Sequence, residues 1–327
     1  MATYIELNPS IEQKKSRDIS LRVFTKECPD SFNKTIFRKM KKLTGISAGI
    51  AMLVLALNIS QCSKKSSPAP APPAKTVSLT TSATLGSYLA DSKGRALYFF
   101  ANDANGLSNC SGGCSTVWPS FVPAAALSAD QLGTGLNLAD FGTVAGGTQV
   151  TYKGWPLYTY SPGGTAEAPG TPTGDGFGGI WFVAKPDYSI MLANTQLIGG
   201  DANHYKSDYT IGDGNTIFFT DAKGATLYAF KNDSANHNKF SNGIAAHDAN
   251  WPTYDTATTL AVPSVLDKTQ FGSTTVFGKS QLSYKGWPLY YFGVDAGVRA
   301  STKGITVGGA GLKWPVVIKD LAAAPHP

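Results

Sequence analysis

The stretch Thr151-Tyr-Lys-Gly-Trp-Pro-Leu-Tyr-Thr-Tyr160 returns almost unchanged as Ser283-Tyr-Lys-Gly-Trp-Pro-Leu-Tyr-Tyr-Phe292. Two looser copies are Asp91-Ser-Lys-Gly-Arg-Ala-Leu-Tyr-Phe-Phe100 and Asp221-Ala-Lys-Gly-Ala-Thr-Leu-Tyr-Ala-Phe230. We number the four copies motif 1 to motif 4 in chain order. Lys-Gly is typical of a turn, because glycine accepts a positive φ without steric cost. Leu-Tyr-x-aromatic then alternates bulky side chains, as in a half-buried strand. Each motif therefore predicts a tight turn followed by a strand.

The two kinds of motif alternate, so the repeating unit is a pair of motifs. Other landmarks keep the same spacing, because Trp118 and Trp251 lie 133 residues apart, as do Trp181 and Trp314. Internal repetition at a fixed offset indicates duplicated structural units. We predict two homologous domains, residues 77–205 and 206–321, followed by a tail at residues 322–327.

The composition favours β-structure. The chain holds 35 glycines and 19 prolines, and no long helical stripe of apolar residues follows residue 80. We predict a mainly β protein with two antiparallel β domains in tandem. Short helical insertions are expected at residues 123–132 and 263–271.

The N-terminal region predicts export from the cytoplasm. A basic stretch begins at Met40, an apolar run covers residues 43–59, and Cys62 follows, as in a bacterial lipoprotein signal peptide. We predict an apolar signal helix at residues 40–61, lipidation of Cys62, a disordered Ser/Pro/Ala/Lys tether at residues 62–76 and an upstream extension at residues 1–39. The alternative is an uncleaved membrane anchor. Both place the remainder in the cell envelope, facing the periplasm or the cell surface.

The charge pattern argues against nucleic-acid binding. The formal net charge is +6, but the excess of basic residues falls in the leader and the tether. The predicted β domains therefore lack the positive field that attracts a phosphate backbone. The basic residues after Cys62 would instead favour an anionic membrane surface.

Cysteine chemistry leaves two interpretations open. Cys110 and Cys114 enclose Ser-Gly-Gly, and a disulfide is the expectation in an oxidising compartment. The alternative is a redox or soft-metal site. In the second half, Gly243 and His247 stand at the corresponding positions, so the second unit lacks the pair.

Metal-binding and catalytic signals are weak. His237 and His247 could form a metal site with Asp233 or Asp248, and the alternative is a pair of surface imidazoles. No nucleophile motif accompanies the four histidines. We expect no cofactor and no enzymatic activity.

The motif combination resembles a known family. Tyr98-Phe-Phe-Ala-Asn-Asp103 reads Tyr-x-aromatic-x-x-Asp, as do the equivalents beginning at Tyr228 and Tyr290. With Cys-Ser-Gly-Gly-Cys-Ser-Thr-Val-Trp-Pro, this is similar to bacterial secreted-repeat lipoproteins, over residues 84–185 and more loosely 215–316. The resemblance implies a secreted or lipid-anchored β-rich repeat protein of unassigned function. The motif residues are Tyr98, Phe100, Asp103, Tyr158, Tyr160, Tyr228, Phe230, Asp233, Tyr290, Phe292 and Asp295.

Most of these side chains are expected to be scaffold. A strand tyrosine can bury its ring and bond a carboxylate at the next turn, which pairs Tyr98 with Asp103 and likewise pairs the equivalents in the other motifs. The expected pairs in the second half are Tyr228–Asp233 and Tyr290–Asp295. Tryptophans exposed in a row would instead stack on a ligand, and the candidates are Trp118, Trp155, Trp251 and Trp287.

Three functions compete at this point. The first is a non-enzymatic binding or structural module that meets an unknown envelope protein or glycan and is held at the membrane through Cys62. The second is a redox or metal-handling lipoprotein that uses Cys110 and Cys114. The third is a hydrolase acting on envelope polymers. The first is favoured.

Overall fold

The computed structural model describes residues 75–255 and 261–327. All of them belong to one compact unit, Pro68–Pro327. The predicted upstream extension, the signal helix, the lipidation site at Cys62 and most of the tether lie outside the described residues. Within the described part of the chain, no helix has the length and apolar character needed to cross a bilayer.

Short antiparallel strands dominate the structure, which confirms the predicted mainly β fold. In chain order they are β1 (Val77–Ser82), β2 (Gly86–Asp91), β3 (Tyr98–Phe100), β4 (Phe141–Thr143), β5 (Val150–Tyr152), β6 (Trp155–Pro156), β7 (Trp181–Val183), β8 (Met191–Ile198), β9 (His204–Tyr205), β10 (Asn215–Thr220), β11 (Tyr228–Ala229), β12 (Phe271–Val276), β13 (Lys279–Tyr284) and β14 (Trp287–Tyr290).

The pairing of these strands repeats between the two halves. The sheet β4-β5-β6 corresponds to β12-β13-β14, and Tyr98 pairs with Val183 as Tyr228 pairs with Val316. The hairpin β1-β2 corresponds to the pair β8-β10. Strand β9 comes between β8 and β10 in the chain, and in the sheet it pairs with β8. Strand pairing thus groups β8 with the second repeat, although the predicted division lies at residue 205.

The Lys-Gly turns form as predicted, in two versions. In motifs 2 and 4 both turn residues have a positive φ, 50° and 81° at Lys153 and Gly154, and 48° and 84° at Lys285 and Gly286. A two-residue turn of this kind matches the twist of a hairpin. In motif 1, Asp91 Oδ1 instead accepts the backbone N–H groups of Lys93 and Arg95 at 2.9 and 3.0 Å. Asp221 does the same in motif 3.

Short helical insertions are present, as predicted, although those at the two expected places are very short. The two expected segments hold only single 3-10 turns, Ala129–Gln131 and Lys268–Gln270. A segment this short gains too little from helical hydrogen bonds unless it buries an apolar face, and neither turn contains a buried residue. Within the described residues the α-helices lie elsewhere, at α1 (Gly113–Val117) and α2 (Ala245–Asp248), in corresponding loops of the two repeats.

Candidate functional site

The motif tyrosines bond carboxylates, but the partners are exchanged between the two motifs of a repeat. Tyr158 Oη donates to Asp103 Oδ2 at 2.6 Å, while Tyr98 Oη lies 2.8 and 2.9 Å from the oxygens of Glu167. The expected Tyr98–Asp103 pair is therefore wrong. The 3-10 turn Ala101–Asp103 reverses the chain after β3, so the carboxylate meets the neighbouring motif, where Tyr98 and Tyr158 form a β-bridge.

The second repeat contains the same exchange. Tyr290 Oη donates to Asp233 Oδ2 at 2.7 Å, and Tyr228 Oη donates to Asp295 Oδ2. The expected pairs Tyr228–Asp233 and Tyr290–Asp295 are accordingly wrong, although the four residues are those predicted to pair. All four are buried. Each repeat therefore ties its two motifs together with two crossed tyrosine–carboxylate bonds.

Glu167 is a residue that the motif search missed. Motif 2 has Gly163 where the other motifs carry aspartate, and Glu167 supplies the carboxylate from farther along the loop. Its Oε2 also accepts the backbone N–H of Thr173 at 3.0 Å. The available signal was motif 2 itself, which lacks its acid and so leaves Tyr158 without a predicted carboxylate partner.

Burial perturbs these carboxylates. Removal from water raises the pKa of Asp103 and of Asp233 to about 6, against the opposing effect of hydrogen bonds that each accepts. Perturbed acids of this kind are common at catalytic sites. Here, however, the exposed fractions are 0% for Asp103 and 1% for Asp233, so no ligand reaches them from solvent. Their contacts make them scaffold.

The tryptophans form the centre of each repeat. The rings of Trp118 and Trp181 stack with centroids 3.9 Å apart and planes 1° apart, and those of Trp251 and Trp314 stack at 3.6 Å and 4°. The remaining motif rings complete the two clusters. Phe100 packs on Trp181, Tyr160 on Trp118, Phe230 on Trp314 and Phe292 on Trp251.

The ligand-stacking prediction is wrong for all four tryptophans. Trp118, Trp155, Trp251 and Trp287 are between 1% and 4% exposed. The first and third lie in the stacked pairs. The indole N–H of Trp155 donates to the carbonyl of Ala222 at 3.1 Å, and that of Trp287 donates to the carbonyl of Ala322 at 2.7 Å. None of these rings presents a face to a ligand.

The predicted disulfide between Cys110 and Cys114 is present, with Cα atoms 5.3 Å apart. Cys110 is buried in the cluster that contains Trp118. In the second repeat, the rings of Phe240 and His247 lie where the first repeat has the disulfide. His247 stacks on Phe240 at 4.5 Å, and Phe240 meets Trp314 edge-on at 5.0 Å.

The histidine metal hypothesis gains no support from the described residues, which contain no group of three or more histidine, cysteine or acidic side chains suited to a metal. His247 Nδ1 lies 2.9 Å from Asp248 Oδ1. His237 belongs to a small backbone bridge with Ser234. Asp233 is turned inward to Tyr290. His247 and Asp248 thus contact each other, but Asp233 bonds Tyr290 instead, and the candidate ligands do not form one metal site.

A cleft between the repeats, which sequence reasoning did not find, contains the arginine Arg299. Its side chain lies over Trp155, 4.7 Å from the ring centroid. Nε donates to the carbonyl of Ala104 at 2.9 Å, and Nη1 donates to those of Lys153, at 3.0 Å, and Lys223. One guanidinium thereby joins the turns of motifs 2 and 3. The adjoining cavity measures about 550 Å³.

The corresponding edge of the second repeat is closed by the C-terminal tail. The carbonyl of Lys285 accepts the N–H of Ala324 at 2.9 Å, where Lys153 meets Arg299 in the first repeat. Ala322 accepts from Trp287 as Ala222 accepts from Trp155. The predicted tail is thus packed onto the fold through these contacts.

Comparison with known proteins finds a similarity in the first repeat. Residues 79–121 and 142–185 match a family model described as a secreted repeat of unknown function. The matched segments contain motifs 1 and 2, the cysteine pair and both tryptophans of the first stacked pair. This confirms the expected resemblance, and each matched segment contains one motif, so two matches together span one two-motif repeat of this chain. No curated protein and no solved structure matches the chain significantly.

Proposed function

We propose that this protein is an envelope-anchored lipoprotein that acts as a non-enzymatic binding or structural module for an envelope protein or glycan. The supporting observation is the use of the recurring side chains. In both repeats the tyrosines, acids and tryptophans of the motifs are directed into the interior. A repeat whose recurring residues serve packing is suited to present its unique surfaces, whereas a duplicated catalytic site would keep its recurring groups accessible.

Anchoring at the membrane is the part of the proposal that rests on the N-terminal sequence, where an apolar run is followed by Cys62. Lipidation of Cys62 would hold the folded repeats at the membrane, since an acyl chain contributes about 0.8 kcal/mol per buried methylene. The test compares Cys62→Ser with Cys28→Ser, which removes the other N-terminal cysteine. We expect the wild type and Cys28→Ser in the membrane fraction and Cys62→Ser in the soluble extracytoplasmic fraction. Retention of Cys62→Ser in the membrane would contradict lipid anchoring.

The non-enzymatic part has its own test. Purified protein is incubated with isolated envelope polymers, and released soluble fragments are measured by mass spectrometry. We expect the same release as with a heat-unfolded control. Time-dependent release by the folded protein alone would favour the hydrolase alternative.

A further inference from the structure

Arg299 is a half-buried cation that makes no ion pair with an acidic side chain of the described residues. Its Nη2 is enclosed and finds no acceptor in the same part of the chain. Burial lowers the pKa of Arg299 to about 10, which reports the desolvation of its charge. Carbonyl dipoles, one aromatic face and the more distant charge of Asp221 offset that desolvation only in part.

Two lysines extend this charge to the surface of the cleft. Lys153 and Lys223 line the cavity together with Arg299. Lys223 is exposed, and its ammonium has no hydrogen bond to the described residues. The Lys153 ammonium donates to the carbonyl of Pro186 at 2.6 Å. Lys223 is therefore the cation that a ligand would meet directly.

The acids of the cleft neutralise this arrangement only in part. Asp221 and Asp140 also line the cavity. The Asp221 carboxylate is already used, since Oδ1 accepts the N–H groups of Lys223 and Ala225 and Oδ2 accepts the Tyr291 hydroxyl. Three basic side chains thus face two acidic ones, and the bonds that Asp221 already accepts hold its carboxylate in place. The cleft retains an excess of positive charge beside low-dielectric protein, where Coulomb attraction is strengthened.

We propose that the cleft between the repeats binds a small oxyanion, a carboxylate or a phosphate group, with Lys223 as the direct contact and Arg299 as the fixed charge behind it. The proposal rests on the binding role proposed above and gives it a ligand class. A cavity of about 550 Å³ has the size of a small-molecule site. A larger envelope molecule also meets this description when its carboxylate or phosphate group enters the cleft.

The test is calorimetric titration of the full chain in detergent with sodium phosphate and, separately, sodium acetate, at constant ionic strength set by chloride. We expect saturable binding of at least one probe, with a Kd of about 0.1–1 mM. Saturation by phosphate alone or by acetate alone identifies which oxyanion the cleft accepts.

Lys223→Gln is compared with Lys93→Gln, which alters the same turn position in motif 1, away from the cavity. We expect Lys223→Gln to weaken binding about 10-fold or more and Lys93→Gln to leave it unchanged. Arg299→Lys, which keeps the charge but loses the three-carbonyl clasp, provides a second variant at the cleft and should also weaken binding.

Two results would overturn the proposal: no saturable binding of either probe up to about 10 mM, or equal weakening in the two lysine variants. The membrane fractionation of the Cys62 variant is independent of this titration. A failed titration with normal fractionation would therefore reject the oxyanion site alone.

Discussion

The two repeats share their interiors but differ at their edges. Trp118 and Trp181 stack as Trp251 and Trp314 do, and crossed tyrosine–carboxylate bonds flank both pairs. The edge formed by the Lys153 turn is covered by Arg299, whereas the corresponding edge in the second repeat is covered by the tail. Repeated sequence thus specifies the interior, and unique sequence specifies what covers each repeat.

A backbone hydrogen bond beside the turns of motifs 1 and 3 shows the same principle, because the bond is repeated but the neighbouring side chain is not. Ala300 donates its N–H to the carbonyl of Gly224, and Gly170 donates to that of Gly94 in the same way. The residues that precede them are Arg299 and Pro169. The second repeat therefore carries a guanidinium at this position and the first repeat does not. That guanidinium donates hydrogen bonds to backbone carbonyls of the first repeat.

The largest expected effect tests whether the interiors are equivalent. Trp181→Ala and Trp314→Ala each remove one ring of a stacked pair, and we expect a loss of about 3–5 kcal/mol in unfolding free energy for each. Urea denaturation measures both. Phe277→Ala, at a side chain that is 66% exposed, is the control and should change stability little. A difference above about 2 kcal/mol between the tryptophan variants would break the equivalence.

The second prediction concerns pH. Because the pKa of Asp103 and of Asp233 is about 6 in the folded protein, above the ordinary carboxyl value, the folded state binds their protons more tightly than the unfolded chain does. This stabilisation is complete below about pH 4 and is lost as the pH rises through about 6, on the order of 3 kcal/mol for each group.

Substitution separates the two contributions. We expect Asp103→Asn and Asp233→Asn each to flatten the dependence of unfolding free energy on pH between about 4 and 7, by similar amounts. Chemical denaturation at a series of pH values measures the slope. An unchanged slope in either variant would mean that the buried acid there does not titrate in this range.

The interior was predictable from sequence to a large extent, because repetition reports what both copies need. The Lys-Gly turns, the strands and the disulfide between Cys110 and Cys114 follow from local chemistry. The partner of Tyr98 does not, since it depends on which loop the neighbouring strand brings close. Glu167 lies outside the motif, and Arg299 stands where the first repeat has Pro169, so neither leaves a periodic signal.

The third prediction addresses the edge. Arg299→Ala removes three donated hydrogen bonds and the contact with Trp155. We expect a loss of about 2–3 kcal/mol and weaker coupling between the repeats, seen as a broadened or two-step urea transition. The matched variant is Pro169→Ala, at the same place in the first repeat, and it should leave a single transition. A sharp single transition for Arg299→Ala would show that other contacts couple the repeats.

The smallest effect is expected at the disulfide, where the interiors differ most. The bond between Cys110 and Cys114 closes a very short loop, so the entropic stabilisation is only about 2 kcal/mol. The second repeat occupies the same place with Phe240 and His247 and keeps its stacked tryptophans. We expect the double variant Cys110→Ser/Cys114→Ser to fold and to lose about 2 kcal/mol, matched by reduction of the wild type with dithiothreitol. Unfolding of the first repeat alone on reduction would show that the disulfide performs a structural task that the ring stack performs in the second.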